Sequence, residues 1–167
     1  SERLTPDQLI EALDAYFERF DKVIEKYGIE KIKTIGDAYV CAGGVPSKNE
    51  VGAHAMVKAA LEFMQEIENL RVERTKLGLQ TFEFRIGMHT GQLIAGVIGI
   101  RKFAYDIWGD TVNMAARMQQ ESEAGKINIS GATYELVKDK FACVYRGRHE
   151  AKNKGEIDMY FVEKAIA

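Results

Sequence analysis

Two polar residues, Asn113 and Arg117, lie four positions apart, the spacing that places two side chains on one face of a helix. The surrounding pattern predicts a helix from about Thr111 to Glu121. Helix N-termini favour anions, and a guanidinium group binds phosphate through paired hydrogen bonds. The alternative is a solvated face that carries one arginine, although the small and apolar neighbours indicate a tightly packed helix. Both interpretations, phosphate clamp and solvated face, stay open at this point.

The second candidate for chemistry is Asp37, which follows Gly36 in the stretch Lys31–Asp37. The pair Gly36-Asp37 predicts a tight turn between two strands. A carboxylate at such a turn could meet a phosphate-bound cation. Ordinary turn chemistry explains a single aspartate equally well, because aspartate side chains stabilise turns by bonding to nearby backbone groups.

Other familiar kinds of site are not indicated. Four glycines between positions 87 and 99 invite a phosphate-loop interpretation, but neither G-x-x-x-x-G-K-[ST] nor G-x-G-x-x-G is present. We expect these glycines to serve turns and close backbone approach. The three histidines are scattered and neither cysteine has a CxxC partner, so a zinc site is not expected.

The elements that must position these residues begin with a long amphipathic helix. Thr5-Pro6-Asp7-Gln8 has the composition of a capping box, and Gly28 ends the helical pattern. Strands are predicted at 29–35 and 38–42. Ser47 and Glu50 predict a second capping box and a helix to about Leu70, followed by a polar connection from Arg71 to Gln80.

The second half of the chain alternates short strands and helices. Strands are predicted at 82–88, 93–98, 103–108, 127–129, 141–148 and 157–162. Asp110 is expected to cap the helix that carries Asn113, and a short helix is expected after Ser130. Since several strands are paired as hairpins, we predict a single α+β domain over residues 1–167, with a mostly antiparallel sheet flanked by helices.

Composition limits the classes of function. The chain has 167 residues, 46% of them hydrophobic and 29% charged, which is typical of one globular domain. A net charge of −2 does not indicate a nucleic-acid surface. The longest apolar stretch, Leu93–Ile100, is too short to span a membrane. Cys41 and Cys143 lie in predicted strands, which favours a reducing, cytoplasmic setting over a disulfide framework.

Two long motifs resemble the catalytic domain of class III nucleotidyl cyclases. The first is Lys33-Thr34-Ile35-Gly36-Asp37-Ala38-Tyr39, and the second runs from Tyr105 to Met118 as YDIWGDTVNMAARM. The resemblance extends to about Val162 and includes RIGMHTG at 85–91 and KNKG at 152–155. It implies a ferredoxin-like palm and a head-to-tail homodimer whose active sites are each built from both protomers.

The resemblance also implies roles for the nucleoside-contacting residues. Lys33 and Asp106 match the residues that recognise the base, assisted by the backbone of Ile107. Asn113 matches the residue that orients the ribose. Arg117 matches the arginine that stabilises charge on the α-phosphate in the transition state.

Four further positions match residues that handle the metal ions and the triphosphate. Asp37 matches the second of two metal-binding aspartates, which in this family hold two Mg²⁺ or Mn²⁺ ions. Lys152 matches a lysine that grips the β- and γ-phosphates, with Lys154 as a possible substitute. Arg101 matches a phosphate-contacting arginine beside the metal site. Two divalent ions can activate the ribose 3′-hydroxyl and neutralise the leaving pyrophosphate.

The identities at positions 33 and 106 predict ATP as the substrate. A lysine can donate to adenine N1, and an aspartate can accept from the adenine 6-amino group. Guanine presents the opposite pattern, with a donor at N1 and an acceptor at O6. In this family guanylyl cyclases typically carry an acid at the position of Lys33 and a cysteine-like residue at that of Asp106.

One departure from the family pattern concerns the start of the domain. The family begins with a strand of the form F-x-D-[IV]-x-G-F-[ST], which supplies the first metal aspartate, whereas this sequence begins at Ser1-Glu2-Arg3-Leu4. We therefore expect the domain to be N-terminally incomplete. The leading expectation is an adenylyl cyclase whose parent protein can carry a membrane anchor. The alternatives are a guanylyl cyclase and a catalytically silent cyclase-like domain used for dimerisation or regulation.

Overall fold

The computed structural model describes residues 4–45, 51–99, 104–151 and 155–166. Within these ranges the helices are α1 (Pro6–Tyr27), α2 (Ala53–Lys76), α3 (Asp110–Gln120) and α4 (Gly131–Val137). The strands are β1 (Glu30–Ile35), β2 (Ala38–Ala42), β3 (Ile86–Met88), β4 (Ile94–Ile98), β5 (Ala104–Trp108), β6 (Ile127–Ser130), β7 (Phe141–Ala151) and β8 (Gly155–Ala165).

Helix α1 begins and ends where the sequence predicts. The Thr5 side chain accepts a hydrogen bond from the Gln8 backbone, and the Gln8 side chain accepts one from the Thr5 backbone. At the other end Gly28 adopts the left-handed conformation at φ 69°, which glycine adopts without steric penalty. The buried face of α1 includes Tyr16 and Phe20, which pack against aromatic side chains of α2 and of the segment before β3.

Helix α2 continues six residues beyond the predicted end at Leu70. The prediction of a connection over residues 71–80 was wrong as far as Lys76. The reason is tertiary: Arg74, only 5% exposed, donates from two nitrogens to the Glu11 carboxylate, each at 2.9 Å, and from Nε to the Gln80 carbonyl at 2.6 Å. The predicted capping box at Ser47 lies outside the described residues.

Loss of the Arg74 guanidinium is expected to destabilise the domain. Arg74→Met removes three hydrogen bonds from a buried group, and we expect the free energy of unfolding to fall by about 2 kcal/mol. Chemical denaturation measures this change. Arg71→Met is the matched control, since Arg71 pairs with Glu68 at the surface and its loss should leave the midpoint unchanged. Equal stability of the two variants would contradict the assigned role of Arg74.

The strands form a four-stranded sheet in the order β3-β6-β8-β7 and two hairpin sheets, β1-β2 and β4-β5. Among the residues that the structure describes, every strand pair except the parallel β3-β6 pair is antiparallel. The predicted α+β class with mostly antiparallel pairing is confirmed, with the strands divided among three sheets.

The predicted strand 82–88 is reduced to Ile86–Met88. Before it, the Phe82 N–H donates to the Tyr16 hydroxyl at 3.0 Å, and the Phe84 carbonyl accepts from the Gly125 N–H at 2.8 Å. These backbone groups are thus bonded to partners outside any strand, while the two phenylalanine rings pack on Tyr16. The alternation of apolar residues before Ile86 therefore reflects the burial of their side chains, and not pairing with a neighbouring strand.

The main core lies between the four-stranded sheet and the helices α2 and α4. It contains side chains from all of these elements, namely Val57, Ala60, Ile127, Ile129, Val137, Phe141 and Val162. A smaller cluster joins the two hairpins through Ile32, Ala42 and Ile107. This second contact brings β1 beside β5. None of the described helices is long and apolar enough to cross a lipid bilayer.

Candidate nucleotide site

The structure brings Lys33 of β1 and Asp106 of β5 together across 73 residues of sequence. The Lys33 ammonium lies 3.0 Å from Asp106 Oδ2, and the Ile107 N–H donates to Asp106 Oδ1 at 2.8 Å. The Ile107 N–H and the Lys33 ammonium hold the pKa of the Asp106 carboxyl below its usual range. A fixed acceptor and a fixed donor therefore lie side by side at neutral pH, partly open to solvent.

A register shift in β1 directs the Lys33 side chain toward Asp106. Lys31 pairs with Cys41 and Lys33 with Val40, so Ile32 is an extra residue without a pairing partner. In a regular strand residues 31 and 33 would face the same side. Here Lys31 contacts Asp21 of α1 at 3.0 Å, whereas Lys33 contacts β5. The shift thus re-aims one lysine away from the helix and toward Asp106.

Asn113 and Arg117 both lie on α3, one turn apart as predicted. Asn113 is exposed, and Arg117 is 29% exposed with its Nη1 3.7 Å from Glu121 Oε1. The predicted cap at Asp110 was wrong by one residue: the N-cap is Gly109, at φ 120°, and Asp110 begins the helix. Since α3 starts directly after β5, Asp106 and Asn113 are held on consecutive elements.

The second half of α3 lies directly on β3. A Cβ atom at Gly87 would lie 1.9 Å from the Gln119 nitrogen and 2.4 Å from the Met118 carbonyl carbon. No side chain fits there, because both atoms belong to the helix backbone. The expectation that glycines in this region serve close backbone approach is confirmed at Gly87.

Gly87→Ala is therefore expected to displace α3 or unfold the domain. We expect a loss of at least about 3 kcal/mol in the free energy of unfolding, since the backbone of α3 must move to admit the methyl group. Gly96→Ala in β4 is the control, because its Cβ would meet only Trp108 Cζ3 at 3.8 Å. Thermal melts of both variants measure the difference, and a stable Gly87→Ala protein would contradict the close packing of α3 on β3.

Two side chains from the sheet bind the end of α3. The fully buried Asn128 of β6 donates from Nδ2 to the Met118 carbonyl at 2.9 Å. Arg146 of β7 donates from Nη1 to the Glu121 carbonyl at 2.8 Å and to Asn128 Oδ1 at 2.9 Å. Neither Asn128 nor Arg146 was predicted from the sequence as a site residue. An asparagine between two isoleucines of a buried strand is the one signal that could have identified this contact.

Asp37 lies exposed in the turn between β1 and β2, next to Gly36 at φ 58°. The predicted tight turn is confirmed, with Ile35 and Ala38 paired across it. Arg101, Lys152 and Lys154, the predicted phosphate contacts, lie outside the described residues.

A divalent cation needs more ligands than this turn provides. Among the residues that the structure describes, no three His, Cys, Asp or Glu side chains lie close enough together to hold a metal ion. Asp37 supplies a single carboxylate. The described residues therefore do not make up a two-ion site by themselves.

Comparisons with known proteins agree on one family. The family model described as the adenylate and guanylate cyclase catalytic domain matches residues 1–164. An adenylate cyclase of Mycobacterium tuberculosis is 34% identical over 157 residues, which are 94% of this chain and 34% of that protein. The chain thus spans about a third of the length of this curated relative.

Two solved structures superpose closely on the chain. The adenylyl cyclase CyaB from P. aeruginosa matches with a TM-score of 0.91 and 30% identity, covering 98% of this chain and 86% of that one. The guanylate cyclase domain of RhGC from Catenaria anguillulae, solved in complex with GTP, also gives a TM-score of 0.91, with 32% identity over 99% of this chain and 89% of that one. The relatives therefore include both adenylate and guanylate cyclases. These matches confirm the resemblance in the sequence: the chain belongs to the adenylate and guanylate cyclase catalytic-domain family.

Proposed function

We propose that this chain is the catalytic domain of an adenylyl cyclase, which converts ATP to 3′,5′-cyclic AMP and pyrophosphate in the cytoplasm. The observation that carries the choice of ATP is the pair formed by Lys33 and Asp106. Their heavy atoms lie 3.0 Å apart, so a donor and an acceptor are presented together. Adenine offers an acceptor at N1 beside a donor at its 6-amino group, which is the complementary arrangement.

Guanine would meet this pair with the wrong groups. Its N1 is a donor facing the lysine ammonium, and its O6 is an acceptor facing the aspartate carboxylate. The lowered pKa of Asp106 keeps that carboxylate ionised, so it cannot donate to O6 at neutral pH. Mispaired polar groups discriminate strongly between substrates, because each is left without a hydrogen bond. Guanylate cyclases among the relatives make GTP the alternative substrate.

Cyclisation requires positioning and charge stabilisation, and the chain needs no covalent nucleophile for it. The ribose 3′-oxygen forms a bond to the α-phosphorus while the bond from that phosphorus to the bridging oxygen of the β-phosphate breaks. The 3′-hydroxyl proton passes to solvent, and pyrophosphate leaves. In our proposal Asn113 orients the ribose, and Arg117 stabilises the charge that develops on the α-phosphate.

The triphosphate contacts and the metal are proposed from the resemblance. Arg101 and Lys152 are assigned to the phosphates, with Lys154 as the substitute. Cyclase domains of this family depend on divalent metal ions in general. We assign Mg²⁺ or Mn²⁺ to this one, with Asp37 as one ligand.

A second copy of the chain is the proposed partner, arranged head to tail. The β4-β5 hairpin exposes apolar side chains that a monomer leaves in water: Ile94 is 69% exposed and Val97 61%. Trp108, at the end of β5, is 37% exposed and lies directly before α3. Exposed apolar surface of this kind favours association. Its place beside Asp106 and α3 supports an active site shared between two copies.

Mixing two strongly impaired variants tests the shared site. If Asp37 of one copy and Arg117 of the other serve the same site, Asp37→Asn and Arg117→Ala should each retain at most about 1% of wild-type turnover. Co-expressed in equal amounts, they form mixed dimers with one intact site, and we expect about a quarter of wild-type activity. Equal activity in the mixture and in the separate variants would contradict a site built from both copies.

Product analysis tests the reaction itself. The full-length protein is incubated with ATP and either Mg²⁺ or Mn²⁺, and the products are separated by chromatography. The proposal predicts cyclic AMP and pyrophosphate in equal amounts. Release of ADP and phosphate would show that the protein hydrolyses ATP, and would contradict the proposed cyclase reaction. A folded dimer that forms no product would instead support the silent regulatory domain.

A further inference from the structure

Arg117 lies in the last turn of α3, and the backbone carbonyls that follow it need other partners because a helix end has few intrahelical donors for them. The Arg117 carbonyl accepts from the Glu121 N–H at 2.9 Å. The next carbonyl, that of Met118, accepts from the Asn128 side chain, and the Glu121 carbonyl accepts from Arg146. The end of the helix that carries Arg117 is thus fixed to the sheet by side chains of β6 and β7.

Arg146 reaches α3 because β7 is irregular at this point. The pairing with β8 shifts between Tyr145 and Arg148, and Gly147 adopts φ 86°, a conformation that side-chain-bearing residues rarely adopt. The Arg146 guanidinium carbon lies 4.0 Å from the centre of the Phe161 ring. A guanidinium held over an aromatic face and hydrogen-bonded to Asn128 has little freedom to move.

Glu121 connects this contact to Arg117. Its carbonyl is bound by Arg146 at 2.8 Å, while its carboxylate lies 3.7 Å from Arg117 Nη1. Glu121 is therefore fixed through its backbone, and its side chain faces Arg117, the proposed phosphate-binding arginine. On strand β3, Gly87 sets the distance between α3 and the sheet, while Asn128 and Arg146 fix the position of the helix end.

We propose that Arg146 is a positioning residue for Arg117: through Glu121 and Asn128 it fixes the last turn of α3, and so sets where the Arg117 guanidinium lies relative to the α-phosphate. This inference rests on the proposed function. The Arg146 guanidinium contacts the Glu121 carbonyl, Asn128 and the Phe161 ring, and it acts through these contacts. Since a misplacement of about 1 Å can reduce turnover about 100-fold, the contact acts on kcat more than on substrate affinity.

A double-mutant cycle separates positioning from simple stabilisation. In the full-length protein we expect Arg146→Met to lower kcat by about 10- to 100-fold with KM within about threefold of wild type. In an Arg117→Ala background the same change should have little further effect, because the group to be positioned is gone. Arg146→Lys, which keeps a cation near the two acceptors, should restore part of the loss. Additive effects, or a wild-type kcat for folded Arg146→Met, would overturn the proposal.

Arg148→Met is the control on the same strand. Arg148 is 67% exposed, and its contacts with Glu156 and Asp158 are long surface pairs, so turnover should not change. If Arg146→Met does not fold, Arg146→Lys takes its place in the cycle, with a smaller expected loss and the same requirement for non-additivity.

A second readout does not depend on activity. In NMR spectra the Arg117 Nε–H resonance should shift or broaden in Arg146→Met and remain unchanged in Arg148→Met; an unchanged resonance in both would overturn the positioning role. If the wild-type protein makes no cyclic product, the proposed function fails, and the resonance alone then decides whether Arg146 positions Arg117.

Discussion

Arg117→Ala is expected to lower kcat for cyclic AMP formation by about 10²- to 10³-fold, the usual loss when one donor to a developing anionic charge is removed. In the proposed reaction the charge on the α-phosphate grows as the 3′-oxygen attacks, so the Arg117 guanidinium should contribute more in the transition state than in the ground state. KM for ATP should change much less than kcat. Steady-state kinetics on the full-length protein measure both.

The control for this variant is Arg71→Ala, which removes a guanidinium from a surface pair on α2. It should leave kcat and KM unchanged. Arg117→Lys keeps the positive charge but loses the forked geometry, and we expect activity between those of wild type and the alanine variant. An Arg117→Ala protein with wild-type kcat would remove Arg117 from the proposed reaction.

Exchanging Lys33 and Asp106, the proposed base-recognising pair, is expected to reverse the choice of nucleotide. The double variant Lys33→Glu, Asp106→Cys carries the residues typical of guanylyl cyclases. We expect the ratio of kcat/KM for ATP to that for GTP to fall by about 10³-fold or more, because adenine then meets mispaired groups. Lys33→Glu alone should impair both substrates, since it places two carboxylates side by side and raises the pKa of one of them.

Lys31→Glu is the matched control for the exchange. Lys31 lies two residues before Lys33 on the same strand but faces Asp21 of α1, so the nucleotide ratio should stay at its wild-type value. If the double variant kept a wild-type preference for ATP, base recognition would have to lie elsewhere in the chain.

Local signals predicted those elements whose ends are set within a few residues. The capping box at Thr5 and the left-handed Gly28 define α1 without reference to the rest of the chain. Asn113 and Arg117 lie one helical turn apart as predicted, because local signals also place the start of α3 within one residue of its observed position.

Long-range contacts decided the features that sequence analysis missed. Helix α2 extends to Lys76 because Arg74 binds Glu11, 63 residues earlier. The spacing of apolar residues along α2 does not predict that contact. The shift at Ile32 cannot be predicted from alternation, which would place Lys33 on the side of α1. Arg146 likewise reaches α3 only because β7 is irregular beside it.

The contact between Lys33 and Asp106 is an intermediate case. The family resemblance assigned both residues to base recognition, and no spacing rule could have placed them 3.0 Å apart. The structure supplies the geometry, and the assignment to adenine remains a proposal. Arg101 and Lys152 remain predictions, since both lie outside the described residues.

A competition assay between ATP and GTP shows which nucleotide the protein cyclises. The full-length protein is given equimolar ATP and GTP with Mg²⁺ or Mn²⁺, and both cyclic nucleotides are quantified in the same reaction. The proposed function predicts cyclic AMP in large excess over cyclic GMP. Cyclic GMP as the main product would contradict the role of Lys33 and Asp106 as an adenine-recognising pair.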